Sequence, residues 1–157
     1  VASVSSGAQS MPAFGGQGAA RTASAVVAAL FLVVGVLGFI PGVTSGYETM
    51  TFWGHHSNAM LLGVFQVSAL HNIVHLAFGV VGAVMSARAG LARAFLAVGG
   101  FIYLALWVYG LLVHQDSAAN FVPVNDADNW LHLVLGVAMI LLGALLGART
   151  SANQQAR

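Results

Sequence analysis

Apolar residues gather in long runs separated by short polar stretches, and each run reads as a helix. Residues Val1 to Ala20 come first, rich in Ser, Gly, Ala and Gln and without periodicity, and read as a flexible tail. Arg21 precedes an apolar run from Ala23 to Ile40 that Pro41-Gly42 ends. A cleaved signal peptide is the competing reading of this run. It is set aside because an h-region spans about 7–15 residues and no A-x-A site follows.

Ser68 is a good N-cap and places a second helix at Ala69 to Ala87. Such a span is about 28 Å long, close to a hydrocarbon core of about 30 Å. A third helix is expected from Arg93 to Val113, and a fourth from Asp126 to Ala148 with Asn125 as its cap. The tail after Arg149 is polar and reads as loose. The segment 42–67 mixes Phe52, Trp53, Met60, Leu61, Leu62 and Phe65 with His55, His56 and Asn58. It reads as an interfacial or partly re-entrant segment, or as an earlier, tilted start of the second helix.

Composition makes lipid the expected solvent. Of 157 residues, 59% are hydrophobic and 6% charged, and the mean hydropathy is +0.87. Soluble domains carry about 25% charged residues. A net charge of +1 argues against a nucleic-acid partner. The absence of cysteine excludes disulfides, thiolate chemistry and Cys-ligated metal centres. The expected fold is therefore an all-α membrane protein, a four-transmembrane-helix bundle made of two tandem helical hairpins.

Arg21, Arg88, Arg93, Arg149 and Arg157 all fall in the tail, the second loop or the C-terminus. The other two loops hold Glu48, Asp116, Asp126 and Asp128. The positive-inside rule then predicts a multi-pass protein of the cell membrane with both termini cytoplasmic. Tyr47, Trp53 and Trp130 fall at the outer boundary, where amphipathic aromatics belong.

The helix pairs look duplicated. The segment Val67 to Val80 aligns without gaps to Val124 to Val137, sharing V-[S/N]-x-x-[H/D]-N-x-x-H-L-x-x-G-V. Both copies run from outside to inside, as in a parallel repeat about the membrane normal. His75 and His132 fall about 9–10 Å into the bundle from its outer end. His71 and Asp128 lie one turn above them, Gly79 and Gly136 one turn below, on the same helix face. Glycine on this stripe predicts that the second and fourth helices meet there, bringing His71, His75, Asp128 and His132 together. Gly143 and Gly147 form a further close-packing pair.

The segments Leu70-His71-Asn72-Ile73-Val74-His75-Leu76 with Gly79, and Val124-Asn125 with Asp128-Asn129-Trp130-Leu131-His132-Leu133 and Gly136, carry a resemblance. From about Arg21 to Gly147 the chain resembles the membrane-protein family catalogued as domain of unknown function 4383. The resemblance implies four membrane helices and brings no catalytic residues.

Three readings of the polar stripe follow. His71, His75, His132 and Asp128 could surround a divalent metal, or His75 and His132 could hold a haem b as axial ligands. Alternatively the cluster is structural. In that reading Ser68 and Asn125 cap helices, Asp126 and Asp128 meet a helix N-terminus, and an Asp128–His71 or Asn72–Asn129 contact joins helices. Finally, the same side chains could relay protons or gate a small solute, although the helices below them are apolar. His55, His56 and His114 read as solvated, or alternatively as joining an outer metal site, and Tyr103, Trp107 and Tyr109 as packing and interface anchors. No nucleotide-binding, nucleophile-elbow or metalloprotease motif occurs. The expectation is a non-enzymatic accessory or envelope component in the lipid bilayer, with self-association or another membrane protein as partner left open.

Overall fold

The computed structural model describes the backbone of residues 15–155 and the side chains of residues 17–146. Four helices and a small sheet follow one another: α1 (Gly15–Leu37), β1 (Thr44–Ser45), β2 (Ala59–Leu61), β3 (Phe65–Val67), α2 (Ala69–Met85), α3 (Ala89–Leu112) and α4 (Asp126–Gln155). α1 opens within the stretch expected to be a tail, and α4 runs on through the expected C-terminal tail. The first fourteen residues, the packing of Gly147 and the side chains of Arg149 and Arg157 lie outside the described residues.

α1, α3 and α4 are long and apolar enough to cross a membrane, and most of each apolar window is exposed. That supports membrane character, because water would not tolerate such a surface. α2 has 17 residues, or about 25 Å at 1.5 Å per residue.

α2 begins at Ala69, so the segment 42–67 is not an early start of that helix. The segment folds into an antiparallel sheet of order β1-β2-β3, with Thr44 opposite Leu61 and Leu61 opposite Phe65. The tight β2–β3 turn holds Leu62 at φ 55° and Gly63 at φ 70°. The left-handed conformation costs a leucine roughly 1–2 kcal/mol. Beneath the sheet, Ala59, Leu61 and Val67 pack with Val34 and Leu37 of α1.

The sheet also seals helix ends. Thr44 donates its hydroxyl to Leu37 O at 3.1 Å, satisfying a terminal carbonyl of α1. Thr51 O and Phe52 O accept from the first-turn amides of Ala69 and Leu70 at 3.1 and 2.9 Å. Ser68 caps α2 through its side chain, as expected.

α1 packs chiefly on α2, and α3 on α4. α2 and α4 make little contact with each other, contrary to the meeting expected from their glycines. Gly79 instead faces α1. A Cβ there would lie 2.7 Å from Leu32 Cγ and 2.9 Å from Ala28 O. Gly136 faces α3, where a Cβ would lie 2.8 Å from Leu104 Cδ2 and 3.0 Å from Gly100 O. Each glycine brings its helix close to the other helix of the same hairpin. Gly143 likewise faces α3, near Ala97 and Leu96.

The hairpins meet through aromatics. Phe31 of α1 and Tyr103 of α3 have ring centroids 5.3 Å apart. Phe78 lies edge-on to Phe31 at 4.8 Å and packs on Phe95 at 5.0 Å. Leu96 and Met139 complete this core. At the opposite end from the sheet, Arg21 donates from Nε to Ser86 O at 3.2 Å, setting a cation beside the C-terminus of α2.

Candidate functional site

The polar layer lies just under the sheet. It begins at the N-terminus of α4, where Asn125 and Asp128 form a capping box. Asn125 Oδ1 accepts from Asp128 N at 2.9 Å, and Asp128 Oδ2 accepts from Asn125 N at 3.0 Å. The same carboxylate oxygen accepts a second bond, from Gln66 N at 2.9 Å, and so reaches across to β3 of the other hairpin. The amide of Asn125 also crosses, donating to Val64 O at 2.8 Å.

A matching bond runs the other way. His71 of α2 places Nδ1 3.1 Å from Pro123 O, just before α4. A carbonyl can only accept, so Nδ1 carries the proton. In the register that sets Val67 on Val124, Gln66 corresponds to Pro123 and His71 to Asp128. Each hairpin thus sends a side chain from the third helical position to the backbone just ahead of the other hairpin's second helix.

The chemistry of the two residues fits their targets. Gln66 offers an N–H, which a carboxylate accepts. Pro123 has no N–H and offers a carbonyl, which needs a donor such as imidazole.

One turn deeper, His75 and His132 each lie against an aromatic ring of the neighbouring hairpin helix. His75 is 5.7 Å from Phe31 and His132 is 5.2 Å from Tyr103, between ring centroids. Nδ1 of each histidine is buried without a hydrogen-bond partner among the described residues. Asn72 and Asn129 also correspond. The amide of Asn72 presses on Gly38 near the end of α1, and that of Asn129 on Gly110 near the end of α3. Both amide atoms of Asn72 and Oδ1 of Asn129 are unpartnered among the described residues. The expected Asn72–Asn129 and Asp128–His71 contacts are not made; the asparagines face their own hairpins and the other two groups bind backbone.

Between α2 and α3, where contact is sparse, the layer borders a cleft of about 400 Å³. His71, His75, Tyr103 and His132 line it, and Val74, Ile102 and Leu106 border it.

Among the described residues, no three His, Asp or Glu side chains converge to hold a metal ion. The ligand set expected from His71, His75, His132 and Asp128 therefore finds no support in this geometry. Asp128 Oδ2 takes two backbone N–H groups and His71 Nδ1 is bound to Pro123 O, so these two atoms are already engaged. His55 and His56 stack on each other in the loop at 3.9 Å between centroids, away from this layer.

Several participants had no signal in the sequence. Gln66 and Pro123 act through backbone atoms. Asn120 is fully buried and fastens the α3–α4 loop through Gln115 O, Val124 O and Val124 N. Tyr103, expected as packing, does pack in the core, but it also forms a wall of the cleft. A Gly–Asn match between α1 and α2, repeated between α3 and α4, was the one usable clue.

No curated protein and no solved structure matches the chain. Residues 21–145 match the model of the family described as Domain of unknown function (DUF4383), and the chain belongs to that family.

Proposed function

We propose that this is a non-enzymatic integral membrane protein, an accessory or envelope component of four spans, whose polar layer locks two duplicated hairpins together at the outer face of the cell membrane. The observation that carries the reading is the reciprocal pair of bonds, Asp128 to Gln66 N and His71 to Pro123 O.

Duplication is supported by packing that repeats in both halves. The register of Val67 on Val124, combined with that of Arg21 on Arg93, pairs Gly79 on Ala28 and Leu32 with Gly136 on Gly100 and Leu104. It also pairs Gly38 against Asn72 with Gly110 against Asn129, and Phe31 beside His75 with Tyr103 beside His132. Side chains in these pairs differ while the contacts recur.

The cross-hairpin bonds join loops as well as helices. Gly54 N donates to Phe121 O at 2.7 Å, which ties the two loops at the sheet end. Loops held together lie on one side of the bilayer, so α2 and α3 together carry the chain across and back. The arginines near the opposite end favour a cytoplasmic location for it.

The test compares unfolding of the full chain in lipid nanodiscs with that of Asp128→Leu and His71→Phe. Each variant is expected to lose about 1–3 kcal/mol, because a buried backbone group loses its partner. Helical content should stay unchanged. Variants as stable as the parent would refute a locking role.

A further inference from the structure

We propose that the cleft between α2 and α3 binds the head of a membrane-soluble carbonyl-bearing ring compound, of the alkyl- or isoprenyl-quinone type. The cleft has the size and make-up of a small-molecule site, mostly apolar with a few convergent polar groups. Its floor is buried and polar: His71, Tyr103 and His132 are 4%, 4% and 5% exposed. Its border is apolar and open, with Val74 46%, Ile102 45% and Leu106 38% exposed. These border residues lie on the apolar, outward-facing surface of α2 and α3, so the cleft opens sideways towards lipid rather than upwards to water.

The floor selects the ligand's chemistry. His75 and His132 bury Nδ1 without a partner, which leaves Nε2 as the edge each ring turns to the cleft. An unpaired buried N–H is rarer than an underused lone pair. The neutral rings therefore carry their proton on Nε2, and the floor offers N–H donors. Carbonyl oxygens match such donors, and a planar ring matches the aromatic faces of Tyr103 and the imidazoles. The tail then leaves past Val74, Ile102 and Leu106 into the acyl chains.

The test uses the full chain in nanodiscs titrated with a decyl-substituted benzoquinone, read by tryptophan fluorescence. Trp107 follows Leu106 on α3 and serves as the reporter. Saturable quenching at one equivalent per chain is expected. A His75→Phe, His132→Phe double variant keeps ring shape and removes the donors, and should weaken binding at least about tenfold. Ala105→Phe fills the cleft from an exposed position and should abolish saturation without disturbing the core. Decylbenzene should not compete. Linear quenching identical in all variants, or equal competition by decylbenzene, would overturn the proposal. So would a Soret band in the purified protein, which would assign the imidazole edges to a haem.

Discussion

His71 and Asp128 occupy matching positions, yet one is a donor and the other an acceptor. The difference follows from what each meets across the interface. A carboxylate at position 71 would face the carbonyl of Pro123, with no N–H to accept from. His71→Asp should therefore cost about 3–5 kcal/mol, the scale of a buried charge left without a partner. His71→Asn, whose amide can donate to the same carbonyl, should cost no more than about 1 kcal/mol. Adding Pro123→Gln to His71→Asp restores an N–H at the place Gln66 holds in the other half. The double variant should recover roughly half of the loss, as hydrogen bonds to charged groups contribute about 1.5–3 kcal/mol. Denaturant unfolding in nanodiscs measures all three, and a double variant no better than His71→Asp would contradict the equivalence of the two bonds. Ser68 and Asn125 were legible as caps because capping depends on side-chain type and position. The partners of His71 and Asp128 were not, because backbone groups leave no mark on composition.

At the scale of elements, the second helix of each hairpin is set by one glycine. A Cβ on Gly136 would press on the backbone carbonyl of Gly100 as well as on the Leu104 side chain, and a backbone cannot step aside as a side chain can. Gly136→Ala should cost about 1–3 kcal/mol, as overpacking does. Gly90→Ala, with nothing within 4 Å of the new Cβ, should be neutral or stabilise α3 by about 0.5–1 kcal/mol. Thermal melts of the two variants in the same lipid decide the matter, and equal melting temperatures would show that the close approach at Gly136 is not limiting. The glycine stripe was visible in the sequence, but its target was not. A helix pattern reports which face is close-packed and leaves open which neighbour lies there. The helices themselves were legible from long apolar runs. The sheet was not, because strands of two or three residues are too short to show alternation, and their register rests on Leu62-Gly63 and on tertiary bonds such as Ser57 to Val67 O.

The whole molecule turns on whether α2 crosses the membrane. At 17 residues it spans about 25 Å, short of a hydrocarbon core of about 30 Å. A shortfall of this size is met by local thinning or by burying a helix end in protein. Here the latter is at hand, because the first-turn amides of α2 bind Thr51 O, Phe52 O and Ser68, so the sheet closes that end without water. Cysteines at Ser45, Ala87 and Ala118, all exposed, separate the topologies. With four spans and cytoplasmic termini, an impermeant thiol reagent labels positions 45 and 118 on intact cells, and position 87 only after permeabilisation. If α2 lay on the surface, positions 45 and 87 would label together and 118 would be protected. That pattern would also part the two loops that Gly54 and Phe121 join, so it would break the lock and the span count at once. Labelling of 87 alone would keep the four spans and reverse their direction. The arginines would then sit outside, and the positive-inside rule would fail for this chain.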